Sequence, residues 1–142
     1  YIASKIYTPS YISLHTALSF YGIIPEAVVA VTSITTRKTA QFENVFASYS
    51  YQTIKPSLFW GYEPKQLSDG KTFMLATPEK ALIDLLYLYP QYSTEEEMRE
   101  LRLDEDFMQN ELDQERLAEY ASRIGSPILT KRVKLMLNTY GI

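Results

Sequence analysis

Apolar and polar positions alternate with two different periods along this chain, and the change of period marks its layout. In "PSYISLHTALSFYG", Leu14, Ala17, Leu18 and Tyr21 recur at helical spacing, with Ser13 placed to cap the helix and Gly22 to end it. Past Pro25 the pattern turns β-branched, and "AVVAVTSITT" predicts a strand. "RKTAQFENV" reads as a polar connection, and "VFASYSYQTI" alternates as a second strand. "SLFWGYEP" and "KTFMLAT" predict two more, with "SDG" as a turn between them.

From Thr77 onward the period is helical. "ATPEKALIDLLYL" has Thr77 as N-cap, Pro78 at the first helical position and Glu79 facing the positive end of the helix dipole. Ser93 is expected to cap a helix in "STEEEMRELRL". Another runs from Asp113 to a stop at Gly125, and the last begins after Ser126 with Pro127 inside it. The expected fold is a single α+β domain over residues 1–142: a small, mostly antiparallel sheet of about three to five strands flanked by about four or five helices.

Charge adds a second pattern. The net charge is −3, but residues 1–65 carry five Lys and Arg against three acids, residues 66–120 five against fourteen, and residues 121–142 four against none. On the final helix, Leu129, Val133, Met136, Leu137 and Tyr140 share one face, while Lys131, Lys134 and Asn138 face away, with Arg132 at the edge. Lys131, Arg132 and Lys134 are therefore candidates for contact with DNA phosphates or an acidic partner, as are Arg37 and Lys38 in the polar connection.

Composition narrows the chemistry. The chain has no cysteine and a single histidine, His15, so disulfides, thiolate sites and multi-histidine metal sites are excluded. His15 lies beside an apolar helix face and reads as structural. "LDEDFMQNELDQE" lacks the central glycine of a calcium loop. No glycine-rich phosphate loop is present, and no apolar run approaches the roughly 20 residues of a membrane span. No cofactor, no metal and no membrane partner are expected, and the cytoplasm is the expected compartment.

Lys80 and Asp84 stand one helical turn apart in a helix apolar on most sides, so Asp84 is expected to be buried and to need a partner in Lys80, a backbone amide or a hydroxyl. A competing reading makes Glu79 and Asp84 part of a metal-dependent nuclease site, which requires a further acid converging from elsewhere. A third makes the acidic segment from Ser93 to Glu119 a protein-interaction surface. A structural anchor, Thr77, Pro78, Glu79, Lys80 and Asp84 together, is the preferred reading, without enzymatic activity.

Four ordered blocks, "PSYISLHTALSFYGIIPE", "VTSITTRKTAQF", "YSYQTIKPSLFWGY" and "ATPEKALIDLLYL", resemble the AbiEi family of bacterial antitoxins and transcriptional regulators. The resemblance covers about Lys5 to Tyr89. It implies an antitoxin domain of a type IV toxin–antitoxin (abortive infection) system, whose functional partner is a nucleotidyltransferase toxin countered without a stable complex being required. It also implies help in binding operator DNA. The family assigns sequence reading to an N-terminal winged helix-turn-helix, and this chain starts about where the family's C-terminal domain would begin. The toxin's own metal-binding acids after a Gly-Ser loop are absent from the sequence.

Overall fold

The computed structural model describes residues 1–26 and 30–142. Strands β1 (Ser10–Ile12), β2 (Ala30–Thr35), β3 (Ala40–Glu43), β4 (Ser48–Thr53), β5 (Tyr62–Gln66) and β6 (Thr72–Ala76) form one sheet. Its order is β3-β4-β2-β1-β6-β5. The sheet has six strands and is mixed, so it is larger and less antiparallel than expected. The antiparallel pairs are β1 with β2, β3 with β4 and β5 with β6. The parallel ones are β1 with β6 and β2 with β4.

Short connections do force antiparallel pairing, but only between strands that are consecutive in the chain. The parallel pairs join strands that are not consecutive, as where Ile12 meets Leu75. Two strands escaped the sequence pattern. β1 is three residues long, too short to show a period. β3 lies inside the expected polar connection, and as an outermost strand it does not need two apolar faces. The opening of "AVVAVTSITT", residues 27–29, lies outside the described residues.

The helices are α1 (Ile2–Ile6), α2 (Leu14–Phe20), α3 (Pro78–Leu88), α4 (Glu95–Glu100), α5 (Gln114–Ile124) and α6 (Pro127–Thr139). A 3-10 turn at Pro56–Leu58 lies between β4 and β5, and a π turn at Phe107–Glu111 lies between α4 and α5. Thr77, Asp113 and Ser126 each accept a backbone N–H at their helix start. Thr94, not Ser93, caps α4. Gly125 closes α5 at a φ of 71°, a left-handed position open to glycine without a Cβ clash. None of the helices among the described residues is long and apolar enough to cross a membrane.

The main core lies between the sheet and the helices that follow it. Tyr11, Ile34 and Leu75 meet Leu14 and Leu18 of α2, most of α3, and Leu117, Leu129, Val133 and Met136 of the last two helices. Alternation along β2 and β4 sends Val31, Tyr49 and Tyr51 to the opposite face. There they form a small second cluster with Ala3 and Ile6 of α1, where the Tyr51 hydroxyl donates to the Ala3 carbonyl at 2.5 Å. The α3 helix is thus covered on nearly all sides, which places its charged residues inside the protein.

Candidate functional site

Thr77 starts α3 by accepting the Lys80 N–H at 3.2 Å, and Pro78 occupies a position where a missing N–H costs no helical bond. One turn on, Lys80 and Asp84 are each 0 % exposed. The Lys80 ammonium donates to Asp84 Oδ1 at 2.8 Å, to the Leu58 carbonyl at 2.8 Å and to Tyr11 Oη at 2.9 Å. Asp84 Oδ2 accepts from the hydroxyls of Tyr11 and Ser13, both at 2.8 Å. The three donors of the ammonium and both carboxylate oxygens are therefore satisfied, the condition under which a buried ion pair is tolerated.

The partners of the pair come from separate parts of the chain. β1 and the turn after it supply Tyr11 and Ser13, and the 3-10 turn supplies Leu58 and leads into Trp60 and Gly61. The Lys80 ammonium sits 4.7 Å from the centre of the Trp60 ring, and Arg123 of α5 lies 4.1 Å from the same ring. Tyr11 stacks on Tyr62 at 4.7 Å, which closes the pair from the β5 side. Burial pushes the Asp84 carboxyl up and the Lys80 ammonium down, and their mutual attraction opposes both shifts. The Tyr11 phenol is raised by burial and then by the charge of Asp84.

Ser13 departs from its expected role. It stands at the N-cap position of α2, yet its hydroxyl goes to Asp84 and makes no cap bond. The next residue, Leu14, is fully buried and held at a φ of 57°. A left-handed leucine costs about 1–2 kcal/mol. Ser13 N–H bonding to the Thr32 carbonyl at 3.1 Å, together with the Asp84 bond, holds the chain in that shape.

Glu79 and Asp84 do not converge. Glu79 turns toward α5, accepting the Asp113 N–H at 3.2 Å and the Arg116 guanidinium at 3.4 Å. Burial raises its carboxyl, and these contacts pull it back. No cluster of three or more His, Asp or Glu among the described residues is placed to hold a metal ion. His15 is half-buried with its ring edge-on to Tyr89 at 5.9 Å.

The basic candidates separate into three situations. Arg37 and Lys38 are exposed at the entry to β3, where the Arg37 guanidinium lies 4.1 Å from the Tyr7 ring and the Lys38 carbonyl accepts the Tyr7 hydroxyl. Lys131 and Lys134 are exposed on α6 and border a shallow groove of about 480 Å³ with Gly125, Ser126, Pro127 and Thr130. Arg132 is different. Its guanidinium donates to the carbonyls of Leu86, Tyr89 and Tyr92, satisfying the C-terminal end of α3 and the turn beyond it. The helical wheel placed Arg132 at the edge of the basic ridge, and the structure turns it inward.

Fold and site together define a mixed α/β domain organised around an enclosed Lys–Asp pair. No family model matches the chain, and no curated protein gives a significant sequence match. Tyr11, Ser13, Leu58, Trp60 and Gly61 were not identified from the sequence as partners of the pair. The available signal was their position within the same ordered blocks that include "ATPEKALIDLLYL".

Proposed function

We propose that this chain is an antitoxin and transcriptional-regulator domain of the AbiEi type, which counters a nucleotidyltransferase toxin and assists operator binding through phosphate contacts. The observation that carries this reading is the meeting of separate sequence blocks around one pair. "PSYISLH" supplies Tyr11 and Ser13, "KPSLFWGY" supplies Leu58, Trp60 and Gly61, and "ATPEK" with "ALID" supplies Lys80 and Asp84. Three of the four blocks behind the resemblance therefore act as one physical unit, as expected of a shared scaffold. Lys131 and Lys134 add exposed charge, and neither makes an ion pair among the described residues.

Two experiments test the two halves. Where a nucleotidyltransferase is encoded beside it, co-expression of the two is expected to restore the growth that the toxin alone arrests. Unrestored growth removes the antitoxin half. Binding of the chain to duplex DNA, followed by fluorescence anisotropy across a salt series, tests the other. Reversing Lys131 and Lys134 to Glu is expected to reduce the slope of log K against log salt by about two. An unchanged slope removes these lysines from the DNA contact.

A further inference from the structure

Helices α5 and α6 are joined by the two residues Gly125 and Ser126, and a groove follows the seam between them. The part away from the turn, about 390 Å³, is formed mainly by Leu117, Ala118, Val133 and Leu137. The part beside the turn, about 480 Å³, is bordered by Ser122, Ser126, Thr130 and Lys131. Lys134 borders both parts. The groove therefore has a direction, apolar at the Leu117 and Leu137 end, hydroxyl-bearing and cationic at the other. No Asp or Glu among the described residues borders either part, although the chain carries 17 acids and a net charge of −3. Lys131 and Lys134 are exposed and make no ion pair among the described residues.

An occupant complementary to this groove has one apolar end and one anionic end. A partner helix repeats its pattern every turn and does not match a groove whose two ends differ. A lone phosphate leaves the apolar part empty. The eleven residues of α5 span about 16 Å, room for an acyl chain and its carboxylate laid along the seam. We infer that the groove binds a medium-chain fatty acid, with its tail over Leu117, Val133 and Leu137 and its carboxylate at Lys131 and Lys134. Burial of the tail supplies the affinity, and the lysines select the sign of the head group. The inference does not depend on the proposed function, because its test contains no DNA.

Isothermal titration of the full chain with decanoate, below its micellar concentration and at fixed salt, tests it. The expected result is saturable one-to-one binding that tightens from hexanoate to decanoate. Each added methylene strengthens it about twofold, half the free energy of full burial, because the groove is open on one side. Decyltrimethylammonium, with the same tail and the opposite head charge, binds about tenfold more weakly or worse. Lys134→Gln weakens decanoate by about fivefold and leaves the neutral alcohol decanol unchanged. Ala118→Leu fills the apolar part from an exposed helical position that accepts leucine, and abolishes decanoate binding. Circular dichroism confirms that each variant is folded. Three results each overturn the proposal: no saturable binding of decanoate, equal binding of the anionic and cationic heads, or decanoate binding indifferent to Lys134→Gln or to Ala118→Leu. The first of these leaves the groove to a helix of another protein.

Discussion

Gly61 lies so close to the stem of Lys80 that a Cβ built on it would come within 2.7 Å of Lys80 Cγ. Gly61 also has a φ of 80°, and its carbonyl accepts the Thr77 N–H at 2.9 Å, so the same residue joins the start of α3 to the strand beside it. Steric room and backbone conformation thus both demand glycine. Gly61→Ala is expected to destabilise the chain by about 2–4 kcal/mol. Urea denaturation measures this, and a loss below about 1 kcal/mol would show that the lysine stem can move aside.

Removing one member of the buried pair leaves the other charged and unpaired. Lys80→Met and Asp84→Leu are each expected to cost about 3–5 kcal/mol, and the double variant less than the sum of the two. A double-mutant cycle by chemical denaturation checks it. Strict additivity would mean that the two residues are stabilised independently.

Tyr11 connects the pair by accepting from Lys80 and donating to Asp84. Tyr11→Phe keeps the stacked ring and removes both bonds, with an expected cost of about 2–3 kcal/mol. Ser13→Ala removes one bond to Asp84 and the restraint next to strained Leu14, and is expected to cost less than Tyr11→Phe. The order of the two midpoints is the readout.

Arg132 and its neighbours should behave oppositely in stability measurements. Arg132→Met removes the guanidinium's bonds to three carbonyls, of which Tyr89 keeps only the long one from Tyr92 N–H, and is expected to lower stability by about 2 kcal/mol, discounted for its partial exposure. Lys131→Ala and Lys134→Ala should fall within about 0.5 kcal/mol of the parent. Thermal unfolding of the three variants distinguishes a helix cap from a solvated ridge.

His15 supplies a pH dependence with a defined sign. Burial lowers its pKa below the ordinary 6.5, with Glu26 opposing the shift. A depressed folded pKa means that the neutral ring favours the folded state. This contribution is present above pH 6.5 and is lost as pH falls through the folded value. Replacing His15 with Gln should flatten stability against pH in that window, and an identical profile for parent and variant would assign the slope to other groups.

Helix starts and stops were legible because they are local chemistry. Thr77, Pro78, Asp113, Gly125, Ser126 and Pro127 act within a few residues of themselves, so the sequence alone places α3, α5 and α6 closely. Ser93 misled because Thr94 beside it offers the same hydroxyl, and only the backbone geometry chooses between them.

The sequence by itself therefore determined the helical second half, much of the strand content of the first half, and the need of Asp84 for a partner. Only the tertiary structure decided which partners it has. Tyr11 and Ser13 lie 73 and 71 positions from Asp84 along the chain, and no periodicity carries information over that distance. The same holds for the parallel strand pairs and for Arg132, whose edge position on α6 allowed a solvent-facing role until α3 packed beside it. Burial of α3 removes water from its charged groups, and the cost of leaving them unpaired selects the arrangement that satisfies all of them together.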